Sequence, residues 1–366
     1  MPTDQMLREQ IAQRLSHELE ALAEYAAKQL APAAENPSAA AHPAPELLRQ
    51  HLLALANAVL MKSPALFEAH VLQSSQQLGV ETTDAQLAAL RQALLLRLSV
   101  GEYVLAASTL SAGINVLQSP VASIAAPPAP EESPEAMHWA TLAADYLKLL
   151  LAADRPAAQR LVLAEAEAGA DVRALYLHVL QPAQHEVGEL WHCGAITVAE
   201  EHYCTAATAS LMAQLQPYFQ RTPRNGRRLL AACVAGDLHT LGLQMVADFL
   251  EYEGWEVSYL GASTPLDSIR RMIADQGVDL VLTAASMPHH VPLLRELITA
   301  LRRDPATRHV RVLVGGRPFI SDAGLWEHTG ADAWAASADE AVTVVRELFR
   351  EEAARRPEKR QRSVAR

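Results

Sequence analysis

Two groups of residues in this 366-residue chain have types and spacings that could do chemistry. The first is Asp237-Leu238-His239, followed by Gly242. An imidazole can ligate a metal through one ring nitrogen while a carboxylate accepts a hydrogen bond from the other, which fixes the tautomer and raises the ligand's basicity. Gly242 permits close approach of a ligand or another backbone. Taken alone, a loop histidine is more often only a polar residue at a helix start. The second group is Trp191 with Glu201 and His202 further along. An aromatic face beside a carboxylate and an imidazole suits a nucleoside, through packing from one and hydrogen bonds from the others. Tryptophan at a helix end is also a common packing residue, and Glu-His in a first turn is often solvated.

Both groups need elements to position them. Leu229–Val234, Val257–Leu260, Leu280–Thr283 and Val310–Val314 are short β-type runs, each followed by a helical pattern. Strands alternating with helices predict a parallel sheet wound on both sides, which binds ligands at the carboxyl ends of its strands. The first run feeds a loop and then a helix over Leu243–Tyr252, so Asp237, His239 and Gly242 fall at the ligand end. Upstream, the span from about Glu135 to Arg221 is helical, with starts at Ser133, Asp154, Asp171 and near Thr197. Each is a good N-cap type ahead of an apolar-periodic run, and Thr197 with Glu200 fits a capping box. Gly194 marks the end of the helix carrying Trp191. So short a connection predicts antiparallel neighbours, with Trp191 and the Glu201-His202 pair sharing one space.

Residues 1–118 form a further helical module, in which Leu7, Ile11, Leu15, Leu22 and Leu30 recur at helical spacing and Leu87–Leu117 is rich in Ala and Leu. Ala31–Pro45 interrupts it, and a Pro/Ala linker over 119–134 separates it from the four-helix-bundle cap at 135–221. The sheet domain then spans 226–350, and a basic tail 351–366 reads as a solvated charged end. With 50% hydrophobic residues, the chain can build several separate cores. No apolar stretch is read as spanning a bilayer, and no secretory leader is read at the N-terminus, so a cytoplasmic location is expected. Cys193, Cys204 and Cys233 form neither a disulfide framework nor a zinc knot and are expected to be reduced and structural. The net charge of −11 argues against a nucleic-acid surface. Gly236 and Gly242 build neither GxGxxG nor a P-loop, and nothing points to a hydrolase, kinase or dehydrogenase.

The sheet-end pattern resembles the cobalamin-binding domain family. Its signature is a carboxylate, any residue, His, two residues and Gly, then a Ser at a strand end, then a Gly-Gly pair. Here these are Asp237, His239 and Gly242, then Ser286, then Gly315 and Gly316. The resemblance implies a Rossmann-like, flavodoxin-type α/β domain in which His239 is the lower cobalt ligand. The cofactor's own base would then lie in a channel lined by the Ser and Gly-Gly elements. One departure is Pro288, where the family often has Leu.

Trp191, nine residues, then Glu201-His202 resembles the CarH-type adenosylcobalamin photoreceptors, in which these residues surround the adenosyl group. In that family a histidine in the place of His192 takes the upper cobalt position after light breaks the cobalt–carbon bond. The resemblance covers about residues 135–350 and implies a light-responsive signalling protein, not an enzyme. Photolysis would move the helical cap and change oligomeric state or partner binding. The N-terminal module departs from that family's DNA-reading domain. It carries Arg8, Arg14, Lys28, Arg49, Lys62, Arg91 and Arg97 against eleven acidic residues, with no basic helix-turn-helix stretch. A homo-oligomer with a protein partner is therefore expected, with neither DNA nor membrane. An additional bilin chromophore beside that module is a minor expectation. Two alternatives stand: a corrinoid carrier of a methyltransferase system, which does not need the Trp191, Glu201 and His202 arrangement, and a light-indifferent cobalamin sensor.

Overall fold

The computed structural model describes residues 4–30, 45–118, 133–192, 194–219 and 222–363, with the side chains of these up to residue 350 apart from Gln118 and His192. Six helices build the N-terminal module: α1 (Asp4–His17), α2 (Leu19–Leu30), α3 (Pro45–Leu60), α4 (Pro64–Leu78), α5 (Val80–Arg97) and α6 (Val100–Gln118). Helix α3 packs against α1, α2, α4 and α6, and its Leu48, Leu52, Leu55 and Val59 are fully buried. Within the window Val100–Leu117, α6 is long and apolar enough to cross a membrane, which corrects the reading that no stretch is; it packs against α4 and α5.

The expected interruption Ala31–Pro45 and most of the 119–134 linker lie outside the described residues. The linker's last two positions belong to the next helix instead, Ser133 as its N-cap and Pro134 as its first residue. Five helices follow: α7 (Pro134–Leu151), α8 (Arg155–Glu167), α9 (Val172–Leu175), α10 (Gln181–His192) and α11 (Val198–Leu215). A π-helical turn at Tyr176–Leu180 joins α9 to α10, making one arm of a four-helix bundle. Ser133, Asp154 and Asp171 each accept a backbone N–H in the first turn of their helix, and Thr197 with Glu200 closes a reciprocal capping box. Each such cap is worth about 1 kcal/mol.

Beyond the bundle, strands β1 (Arg228–Ala232), β2 (Glu256–Gly261), β3 (Leu280–Ala284), β4 (Arg311–Gly315) and β5 (Ala333–Trp334) alternate with helices. These are α12 (Leu241–Tyr252), α13 (Leu266–Gln276), α14 (Val291–Arg303), α15 (Arg317–Ser321) and α16 (Ala338–Ser363). Strand order is β2-β1-β3-β4-β5, the doubly wound order of flavodoxin-type sheets. Strands β3 and β4 run parallel from Leu280↔Arg311 to Ala284↔Gly315. The fifth strand, absent from the sequence reading, pairs with β4 through Ala333 and Trp334. Helix α16 continues through most of the stretch read as a basic tail.

Two units divide the chain. One comprises Met1–Ala122, Ala232–Leu238 and Ala262–Ala336; the other comprises Ser123–Ala231, His239–Gly261 and Ser337–Arg366.

Candidate functional site

Strand β1 delivers the chain into the loop of the first unit that holds Asp237. Loop residues on either side are exposed, yet Asp237 has no exposed surface. A buried carboxylate needs donors; Oδ2 accepts the Ser286 N–H at 2.9 Å, and His290 Nδ1 stands 3.1 Å from the same oxygen. The loop is tied to the segment after β2. Gly236 N–H donates to Ser263 Oγ at 3.0 Å, Ser263 N–H to the Asp237 carbonyl at 3.1 Å, and Thr264 N–H to the Cys233 carbonyl at 3.2 Å. Ser263 pays for this with a left-handed φ of 46°, a strained conformation for a residue with a side chain. Burial pushes the Cys233 thiol up to about 12, and the Asp237 charge adds to the shift. That thiol is inert, as expected for a structural cysteine.

Ser286, Gly315 and Gly316 sit at the ends of β3 and β4, where the sequence reading places them. Ala285 N–H donates to the Gly315 carbonyl at 3.0 Å. At Gly316, with φ at 113°, a Cβ would stand 2.1 Å from the Ala285 carbonyl oxygen, so only glycine fits. Gly236 and Gly242 are the opposite case, with no atom within 4 Å of where a Cβ would stand. The residues that the sequence reading missed here are His290, Ser263 and Thr283. Thr283 Oγ1 is buried without a hydrogen-bond partner among the described residues.

In the second unit, His239 lies on the exposed loop before α12. Trp191 is 39% exposed near the end of α10, and Gly194 closes that end by donating to the Trp191 carbonyl at 3.0 Å, with φ at 75°. Glu201 and His202 occupy the first turns of α11, where the His202 ring contacts the Glu201 carboxylate. Beneath them a polar chain enters the bundle. Thr205 Oγ1 donates to Glu201 at 2.8 Å and also lies near Gln184, whose amide donates to Thr208 at 2.8 Å; Thr208 meets the buried Tyr146 hydroxyl at 2.8 Å. The side chain of His192 lies outside those described. A further buried pair links the π-helical turn to α12: Tyr176 hydroxyl donates to Asp248 at 3.0 Å. Burial raises the Asp248 carboxyl to about 7, against the lowering effect of hydrogen bonds from Tyr176 and Gln216.

A doubly wound parallel sheet with a buried carboxylate next to a loop histidine at its strand ends, preceded by a helical bundle, is an α/β architecture that binds ligands at that edge. Comparison with known families agrees: residues 227–346 and 142–216 each match a B12 binding domain model. The dimethylamine corrinoid protein 1 of Methanosarcina acetivorans is 27% identical over 176 residues, which is 46% of this chain and 80% of that protein. The dimethylamine corrinoid protein 3 of Methanosarcina mazei is 31% identical over 117 residues, 32% of this chain and 68% of that one. The solved monomethylamine corrinoid protein of Methanosarcina barkeri superposes with a TM-score of 0.51 at 21% identity, covering 57% of this chain and 98% of that one. The chain belongs to the B12-binding family, and its cofactor is a corrinoid. These relatives are corrinoid proteins, not the photoreceptors that the sequence resemblance suggested.

The residues present fit such a cofactor. The orphaned Thr283 hydroxyl at the end of β3 and the open space beside Gly236 and Gly242 are features that a large ligand with polar groups satisfies.

Proposed function

We propose that this protein is a corrinoid carrier that serves a methyl-transfer system. The observation that carries this reading is the kinship with two dimethylamine corrinoid proteins, one of them matched over 80% of its length. In this reading His239 is the lower cobalt ligand and Asp237 accepts a hydrogen bond from its other ring nitrogen. Ser286, Gly315, Gly316 and Gly242 would admit the cofactor's nucleotide tail, with Thr283 as a further partner. Bound corrinoid supplies a cobalt centre able to accept and release a methyl group. The protein's contribution is to hold the imidazole in one tautomer, keep the carboxylate dry and present the cofactor to a partner enzyme.

A second reading, a light-responsive adenosylcobalamin protein, is favoured by one observation. Trp191 is half-exposed near the end of α10, while Glu201 and His202 are joined at the start of α11 above a polar chain that fixes Glu201. Such a set suits the adenosyl group, and His192 would be the upper ligand after photolysis. No observation of the described residues favours a bilin, and neither reading calls on one.

One experiment separates the two. Full-length protein is loaded in parallel with methylcobalamin and adenosylcobalamin, and affinity, absorbance and molecular mass are recorded before and after green light. The carrier reading expects similar affinities and an unchanged mass. Adenosyl-selective binding with a light-driven change of mass would overturn it in favour of the second.

A further inference from the structure

Asp237 Oδ2 is held by a residue outside the motif. Ser286 supplies a backbone N–H, which any residue there would do, but His290 supplies a side chain that is itself 3% exposed. His290 Nδ1 stands 3.1 Å from Asp237 Oδ2 and 3.4 Å from the Met287 N–H. One ring nitrogen cannot both donate to the carboxylate and accept from the amide. A carboxylate buried without exposure needs the donor more, and its contact is the shorter, which favours a proton on Nδ1 facing Asp237 over acceptance from Met287.

The short turn that carries His290, residues 288–290, is gripped from the N-terminal module. Helices α3 and α4 pack on it, and α3 also meets α14. His289 stacks edge-on to His290, with ring centroids 4.2 Å apart, and its charge acts on His70 of α4. His70 Nε2 lies 2.8 Å from His51 Nδ1, and His51 Nε2 lies 2.9 Å from Gln86 Oε1, all inside the module. Burial, then His51 and His289, pushes His70 down to about 3, so it is neutral. Two further ties fix the contact: Ser63 Oγ donates to Asp322 at 2.5 Å and Arg295 to Glu9 at 3.2 Å.

The geometry points to His290 as a positioning residue for the cobalt-facing His239, acting through Asp237, with the N-terminal module serving as the support that holds His290 in place. This inference rests on the assignment of His239 as lower ligand. Asp237 offers an oxygen on each side of its carboxyl group. Holding Oδ2 between the Ser286 N–H and the His290 ring sets the plane of the group and so the direction in which it can receive the imidazole N–H. The module thereby supports the cofactor site through the turn that carries His290, and a chain that lacked it would hold the carboxylate less firmly.

The test uses full-length protein labelled with ¹⁵N-histidine and loaded with unlabelled cob(II)alamin. In its electron paramagnetic resonance spectrum a protein imidazole on cobalt splits the lines into doublets, whereas the cofactor's own base gives triplets. Wild type and His290→Asn, whose amide replaces the Nδ1 donor, should give doublets. His290→Leu should shift a clear fraction to triplets or to no splitting and weaken corrinoid affinity roughly 10-fold or more. His70→Leu should shift the spectrum in the same direction by less. If His239→Ala keeps the doublets, the lower-ligand assignment itself fails. Loss of doublets in His239→Ala with full doublets in His290→Leu would overturn the inference alone. Should His290→Leu not fold, His290→Gln takes its place, since its donor sits one bond too far out; a wild-type spectrum there counts against the inference.

Discussion

The sheet-end cluster and the cap cluster are built on opposite plans. Asp237 has no exposed surface, with the Ser286 N–H and the His290 ring both on one oxygen, whereas Trp191 is 39% exposed and the His202 side chain 70% exposed. The first cluster is held by strand ends, a strained Ser263 and a neighbouring helical module. The second stands on the ends of two helices joined by a short turn, with Glu201 anchored from below by Thr205. Rigid preorganisation serves a ligand that must hold one geometry, while exposed aromatic and titratable groups serve a partner that changes. Under the proposed carrier function, the rigid cluster would hold the constant lower ligand and the exposed one would face the exchanged upper ligand.

The contrast can be broken most sharply at the glycines. Gly316→Ala drives a Cβ to 2.1 Å from the Ala285 carbonyl at a φ of 113°, and should cost about 3 kcal/mol in urea unfolding. A stability equal to wild type would show that the β3–β4 edge is not rigid. Gly242→Ala meets open space and stands in the first turn of α12, so folding should be unchanged or slightly improved. Its effect should fall on corrinoid affinity, weakened about 10-fold, or ~1.4 kcal/mol. Unaltered affinity would remove Gly242 from the ligand surface.

On the cap side, Trp191→Ala should leave the unfolding curve within ~0.5 kcal/mol, since the ring is exposed. It should change the preference between adenosylcobalamin and methylcobalamin, read by parallel titrations. An equal change for both would make the tryptophan a general contact instead of an upper-ligand one. The smallest effect is expected at Asp248. Its carboxyl is raised to about 7 in the fold against 3.8 when unperturbed, so between these values the folded chain holds a proton that the unfolded chain releases. That contribution to stability is present at low pH and is lost as pH rises through about 7. Asp248→Asn should flatten this part of the stability–pH curve, and an unchanged slope would assign it elsewhere.

Local features were the legible ones. Ser133, Asp154, Asp171 and Thr197 cap their helices as read, because a cap depends on residues within one turn. The motif residues Asp237, Ser286, Gly315 and Gly316 fall at strand ends because apolar runs mark the strands. What escaped depends on contacts distant in sequence. Two-residue β5 is a strand only by pairing with β4, and the π-helical turn at Tyr176–Leu180 carries no composition signal. His290 looks like any histidine after a proline; its meaning comes from Asp237, far upstream. The apolar length of α6 was legible and went unread. The cap motif was legible as a pattern, and it pointed to a family other than that of the relatives matched here.

The most direct test of the account is the position of cobalt in crystals of the corrinoid-loaded protein, located by anomalous scattering at the cobalt edge. The account predicts the metal at bonding distance from a ring nitrogen of His239, with the Asp237 carboxylate on the other nitrogen and the cofactor's own base displaced. Cobalt ligated from below by that base, with His239 turned away, would contradict it.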